Sequence, residues 1–331
     1  MDQTILLGLA GVIAAATPVV FAAIGETITE RAGVINLSVN GTILLTAMAG
    51  FAVAVNTNSI LLGFIAGAAI GAVVALIVAF SSISLKQSQV AVGFVLTLMC
   101  RDLAYFLGDK YNSISGPFLT PTPIPLLKNI PILGPLFFNQ DILVYFSFIV
   151  IAVAYVFLFK TRPGLILQGI GERPAAAFVR GANVNRLRYI YTMVGGAMVG
   201  MAGPMYSLSI KAGWKGTISG IDGIGWIALA ITIFGGWNPL KAALGSYFFV
   251  FLQWLGLVLQ STLKDIPSQV LQVAPFPLMI LALLLVNIGN AEWVERALAA
   301  MPEKARHAIS GLLRSMRSSP PTSLGVPFEN E

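Results

Sequence analysis

Nine stretches of mostly apolar residues run along this chain, near 4–24, 41–55, 60–81, 90–107, 142–159, 189–208, 223–234, 242–260 and 270–288. A helix that crosses a membrane needs about 20 such residues, and most of these stretches reach or approach that length. The stretches 41–55 and 223–234 are short for a full crossing, and the intervening residues 29–41, TERAGVINLSVNG, are too polar to face lipid. Broken or re-entrant helices are therefore expected there. The pattern predicts an all-α polytopic membrane protein with nine or ten transmembrane segments. An extra partial crossing over residues 25–40 makes ten and puts both ends of the chain on the same side.

Between the spans, polarity changes character. Residues 108–141 contain Pro117, Pro121, Pro123, Pro125, Pro131 and Pro135, which exclude a long helix and favour an extended or turning external cap. Residues 160–188 hold six of the chain's twenty basic residues. Placing this loop and the C-terminal tail inside gathers thirteen basic residues on that side and leaves five outside: Lys110, Lys128, Lys211, Lys215 and Lys264. Cationic loops stay on the cytoplasmic face, which fixes the orientation. Beyond residue 290, Ile309, Leu312, Leu313 and Met316 recur at helical spacing beside Arg306, Arg314 and Arg317. That predicts a basic amphipathic helix over 291–317, lying on lipid. Residues 318–331, SSPPTSLGVPFENE, are expected to be disordered.

Composition narrows the function classes. With 56% hydrophobic and 10% charged residues, and a mean hydropathy of +0.84, no single soluble core could hide the apolar surface. The net charge of +6 follows from topology rather than from nucleic-acid binding. Cys100 and His307 are the only residues of their kinds, so no thiolate or histidine metal cluster is expected. There is no G-x-x-x-x-G-K-[ST] string, hence no P-loop for a nucleoside triphosphate. No Ser/His, paired-Asp or H-E-x-x-H arrangement points to intramembrane catalysis.

Polar residues at membrane depth are the candidates for function, because hydrocarbon penalises them unless protein or a water path satisfies them. Asn36, Ser38 and Asn40, beside Gly33 and Gly41, suit a helix break that lines a path for a polar solute. Phe94 and Thr97 on the fourth span are further path candidates. Glu26 and Glu30 share a helical face with Arg31 next to them. They read either as a solvated, ion-paired helix end or as ion ligands of a secondary transporter. Arg101 and Asp102, adjacent and so pointing about 100° apart, are expected to bond other helices. Trp237, at a helix end in GGWNP, is expected to anchor at the membrane interface. In the basic loop, Ala175, Ala176 and Ala177, with Gly171 and Glu172 before them and Gly181 after, make a short small-faced helix open to a partner's backbone.

Three strings taken together are specific: residues 25–41, GETITERAGVINLSVNG; 161–184, TRPGLILQGIGERPAAAFVRGANV; and 230–245, AITIFGGWNPLKAALG. They resemble the ABC import permeases of the ribose and branched-chain amino acid type, and most of all the shorter permease of nucleoside or simple-sugar-like uptake systems. The resemblance covers roughly residues 18–288. It implies a permease domain over residues 1–290 of a bacterial inner-membrane importer, with no cofactor in this chain and with ATP and magnesium on a separate cytoplasmic ABC ATPase. It also implies a second homologous permease and an extracytoplasmic binding protein or lipoprotein that delivers solute. By the same resemblance Gly171, Glu172, Ala175, Ala176 and Gly181 form the helix that couples to the ATPase. The family commonly carries a glutamate where this chain has Asn40, which removes a charge from that position. Nucleoside cargo is expected, with ribose, another sugar or a branched-chain amino acid as alternatives. From other classes, an ion-coupled transporter and a non-transporting membrane scaffold remain as rivals.

Overall fold

Helix starts in this chain are written by short polar side chains that accept the first free backbone N–H groups. Ser59 receives Leu62 N–H at 3.4 Å, Ser88 receives Ala91 at 3.4 Å, Asp141 receives Val144 at 3.0 Å, Thr161 receives Gly164 at 3.2 Å and Asn183 receives Arg186 at 3.1 Å. The structure, a computed structural model, describes residues 3–112, 114–262, 277, 281 and 319–329. Among them the chain forms α1 (Gln3–Arg31), α2 (Val39–Thr57), α3 (Ile60–Ala79), α4 (Gln89–Gly108) and α5 (Ile142–Lys160). There follow α6 (Arg162–Glu172), α7 (Pro174–Val179), α8 (Val184–Met205), α9 (Ile224–Phe234) and α10 (Pro239–Thr262). Seven are long and apolar enough to cross a membrane, and no strand occurs among the described residues. The ninth expected span and the amphipathic helix over 291–317 lie outside the described residues.

Small residues set the packing, as expected where lipid offers no hydrophobic drive and close backbone contact must supply attraction. A side chain on Gly71 of α3 would meet the backbone of Gly196 and Gly200 on α8, and one on Gly200 would meet Gly67. On the other side of α8, Gly195 and Gly25 bring α1 equally close. The result is a core of α1, α2 and α8 flanked by α3, α4, α9 and α10.

Three expectations change. Residues 25–40 make no tenth crossing: α1 continues unbroken to Arg31, because Glu26 and Glu30 are buried in the bundle rather than left in water. Near its start, Ala10 accepts a hydrogen bond from Gln140 of the external segment at 3.0 Å, whereas Arg31 at its end lies 3.9 Å from Glu172 of the basic loop. The two ends of α1 therefore lie on opposite faces, with its N-terminal end external. The short stretch 41–55 is also longer than expected, since α2 reaches 19 residues by including Val39, Asn40, Asn56 and Thr57. By contrast α9 is short as expected: its 11 residues span about 16 Å, half of a hydrocarbon core.

The tail expected to be disordered is in place from Ser319 to Glu329. Pro321 is buried, and backbone N–H groups of Ser323 and Gly325 bond to carbonyls of Gly171 and Gly33 at 2.9 and 3.0 Å. Composition showed only that this segment has no helical period; its acceptors lie far away in sequence.

Candidate functional site

Between α1 and α2 the chain leaves helical geometry at residues 32–38, starting with Gly33 at φ +91°, which glycine adopts without strain. This stretch returns into the bundle. Gly33 lies beside Arg188, Ile35 meets Gln89 at the start of α4, and Leu37 lies against Gly93 and Thr97, the latter eight residues into α4. Eight helical residues rise about 12 Å, so non-helical backbone sits at membrane depth. Such backbone is tolerated only where protein satisfies its polar groups.

The polar residues supply that satisfaction. Ile35 N–H donates to Gln89 Oε1 at 2.7 Å, Asn36 N–H to Glu26 Oε1 at 3.2 Å, and Ser38 N–H to Asn36 Oδ1 at 3.1 Å. Leu37 O accepts from Thr97 Oγ1 at 2.6 Å. Ser38 Oγ also donates to Asn36 Oδ1 at 2.5 Å. Asn36, Ser38 and Thr97 are thus brought together, buried and engaged with the break itself. They support it from behind, with no surface open to a solute. Replacing Thr97 by valine keeps the shape but orphans the Leu37 carbonyl, at a cost of about 1–3 kcal/mol. A lower melting temperature of the purified protein, with correct membrane insertion, is the expected measurement.

Asn40 does a different job. Its Oδ1 accepts the N–H groups of Gly223 and Gly225 at 2.9 and 3.2 Å, and its Nδ2 donates to Asp222 Oδ1 at 2.7 Å. It ties the start of α2 to the N-terminus of α9, whose free N–H groups and positive dipole end also favour the Asp222 carboxylate. Tyr105 OH donates to the other oxygen of Asp222 at 3.4 Å. Unlike Asn36 and Ser38, Asp222 is exposed; four residues on stands Trp226, 36% exposed, its ring centroid 6.2 Å from that of Phe94, 49% exposed. Arg101 and Asp102 lie on the same helix as Phe94 and Tyr105. They pair with each other at 3.0 Å, contrary to the expectation of separate partners: both are exposed enough for the long arginine to fold back across the 100° between them.

Of this group the sequence reading singled out Phe94, Arg101 and Asp102 and did not select Asp222, Tyr105 or Trp226. Asp222 stands in a GIDGIG run between two glycines, a helix-start signal that the short span 223–234 could have exposed.

Glu30 accepts a hydrogen bond from Trp237 Nε1, and Arg31 donates to Trp237 O at 3.1 Å and to Gly236 O at 3.4 Å. Trp237 is therefore no interface anchor: it is 4% exposed and lies in a left-handed turn at φ +55° that joins α9 to α10. Glu26 and Glu30 are likewise not a solvated helix end. One oxygen of Glu26, Oε2, is buried without a hydrogen-bond partner.

On the basic face, α6 and α7 form a hairpin. Gly171 is buried where any side chain would collide with the Arg31 carbonyl, so α6 rests directly on the end of α1. Ala175 and Ala176 are exposed, and Gly181 ends the hairpin at φ +88° with open space around it. A cleft of about 510 Å³ between the two helices is lined by Leu165, Gly169, Glu172, Arg173, Ala176 and Arg180 among others.

Helices that begin inside the bundle, with a small-faced hairpin outside it, suit a membrane permease. Residues 8–287 match the family described as the permease component of the branched-chain amino acid transport system, and the chain belongs to that family. It is a multi-pass protein of the inner membrane and, as a permease of ABC importers, works with an ATPase and a solute-binding protein. It is 37% identical over 254 residues to a putative glucose ABC transporter permease, TsgC13, of Haloferax volcanii, covering 75% of this chain and 76% of that one. It is 34% identical over 298 residues to the nucleoside ABC transporter permease NupC of Lactococcus lactis, covering 86% and 93%. Against the guanosine ABC transporter permease NupQ of Bacillus subtilis the identity is 34% over 285 residues, covering 81% and 88%. No solved structure matches the chain.

Proposed function

We propose that this chain passes a nucleoside, or a related polar solute of sugar character, along the wall formed by Phe94, Arg101, Tyr105, Asp222 and Trp226. The carrying observation is that Phe94, Asp222 and Trp226 are exposed, and Arg101 and Tyr105 partly exposed, on the flank of a membrane bundle. An arginine or aspartate facing lipid at mid-depth costs about 2.5–3.5 kcal/mol. Arg101 and Asp222 are spared that cost if the flank faces a water path shared with a second, homologous permease. Aromatic faces suit a nucleobase, and Asp222 accepts donors from base or ribose. The similarity over most of the chain to the two permeases named for nucleoside and guanosine supports the same cargo.

In this reading ATP and magnesium belong to the partner ATPase. Closure of that ATPase moves the α6–α7 hairpin through Gly171, Glu172, Ala175, Ala176 and Gly181, and the bundle alternates between outward and inward openings. The solute leaves unchanged. An extracytoplasmic binding protein or lipoprotein loads it. The ion-coupled reading loses support, because Glu26 holds the break and Glu30 holds Trp237, each buried.

Trp226→Ala tests the wall. Stacking on an aromatic side chain is worth about 1–3 kcal/mol per base, so the half-saturating nucleoside concentration for uptake should rise about 5- to 150-fold. Labelled guanosine uptake in vesicles, competed with glucose, measures it. Unchanged half-saturation in both Trp226→Ala and Phe94→Ala would remove the wall, and competition by glucose alone would reassign the cargo to a sugar.

A further inference from the structure

Residues 320–329 touch five separate parts of the cytoplasmic face. Thr322 donates to Glu172 Oε2 through both its N–H and its hydroxyl, at 3.2 and 2.8 Å, and Ser323 N–H reaches Gly171 O at 2.9 Å. These hold the end of α6. Phe328 packs its ring 5.7 Å from that of Phe178, which holds α7. On the bundle side, Gly325 N–H donates to Gly33 O at 3.0 Å, at the mouth of the break after α1. Arg188 of α8 donates to Val326 O at 2.8 Å, and Glu329 pairs with Lys86 between α3 and α4.

Two features make this more than a resting tail. Arg188 is 1% exposed, and its Nε and Nη2 have no hydrogen-bond partner, so the Val326 carbonyl serves a buried cation. Removing a partner from a buried charge is far costlier than removing one from a solvated surface. The segment also bridges the hairpin and the non-helical stretch 32–38, which the end of α1 links as well, through Gly171 against the Arg31 carbonyl and the Arg31–Glu172 pair. The Lys86 hydrogen bond holds the Glu329 carboxyl below its ordinary range. That pair's contribution is therefore present above the ordinary carboxylate range and lost only as pH falls through the depressed value. It is constant near neutrality.

We infer that residues 320–329 are a strap that passes movement of the α6–α7 hairpin to the inner ends of α1 and α8. This rests on the reading of that hairpin as the ATPase contact. The strap fixes where the hairpin stands relative to the break, so hydrolysis and solute movement stay in step.

The test uses the assembled transporter with its ATPase and binding protein. Ser323→Pro with Gly325→Pro removes both backbone donors, and Gly325 at φ +78° cannot be reproduced by proline; no membrane helix is altered. A chain ending at Ser319 is the second variant. Co-purification of the ATPase and basal hydrolysis should be retained, while solute taken up per ATP hydrolysed falls about 5- to 150-fold, the usual span of a coupling free energy. Uptake per ATP equal to that of the parent overturns the strap. So does a rise in hydrolysis with uptake in proportion, which marks a brake. If the parent chain fails to retain an ATPase at all, the hairpin reading falls, and the strap with it; the parent control separates that outcome from failure of the strap alone.

Discussion

Asn40→Leu should abolish uptake and lower stability more than any other single polar substitution in the bundle. The change removes the acceptor for two backbone N–H groups at the start of α9 and the donor to Asp222. Each N–H left buried and unpaired costs about 1–3 kcal/mol, so the two together cost about 2–6 kcal/mol. There is no room to relax, since the backbone of Asn40 lies against Gly225 so closely that a side chain there would overlap it. The leucine branch must push α9 away from α2, and Trp226 and Asp222 move with it. Thermal unfolding in detergent and vesicle uptake check this. Asn40→Asp keeps the acceptor but sets a second carboxylate beside Asp222, so it should retain more stability than leucine while still impairing uptake; equal stability of the two variants would mean that the N–H groups do not depend on Asn40.

The second large effect is expected at Gly171→Val. Valine at this position meets the Arg31 carbonyl and Pro321, so α6 has to lift from the end of α1. Because the hairpin is exposed elsewhere, the bundle should insert and fold, and the loss should fall on coupling. Uptake is expected to drop about 5- to 150-fold, with stimulation of ATP hydrolysis by the loaded binding protein lost alongside it. Gly181→Val is the comparison at the other end of the hairpin: nothing lies within reach of its side chain, and its cost is the left-handed backbone alone. If Gly171→Val leaves stimulated hydrolysis and uptake intact, direct contact between α6 and α1 is not the route of coupling.

The two predictions show where sequence and structure part company. The positions of most spans, the short α9 and the small-faced helix before Gly181 are local properties, and each was legible from hydropathy or motif. The cluster Glu26, Asn36, Ser38 was legible as polar and at membrane depth, but its role was not. Polarity at depth announces that something must be satisfied and leaves open whether it is a solute or the chain's own backbone. Only the three-dimensional positions of Gln89 and Thr97, more than fifty residues away, decide for the backbone. Trp237 was misread for the same reason: a tryptophan at a helix end usually meets the interface, yet this one is turned inward by Glu30, some two hundred residues earlier.

Composition and period alone determined that this is a helical membrane protein with a cationic cytoplasmic face, because burial of apolar side chains and retention of cations depend on residue type and order. What only the tertiary structure decided is which polar groups are enclosed by the chain itself and which keep a surface open to the outside. Asn40 is consumed by α9, Arg188 receives a carbonyl from the tail, and Asp222 with Phe94 and Trp226 is left exposed. The physical reason is that hydrogen-bond satisfaction is set by distances and angles of tenths of an ångström between segments far apart in sequence, which no local pattern encodes.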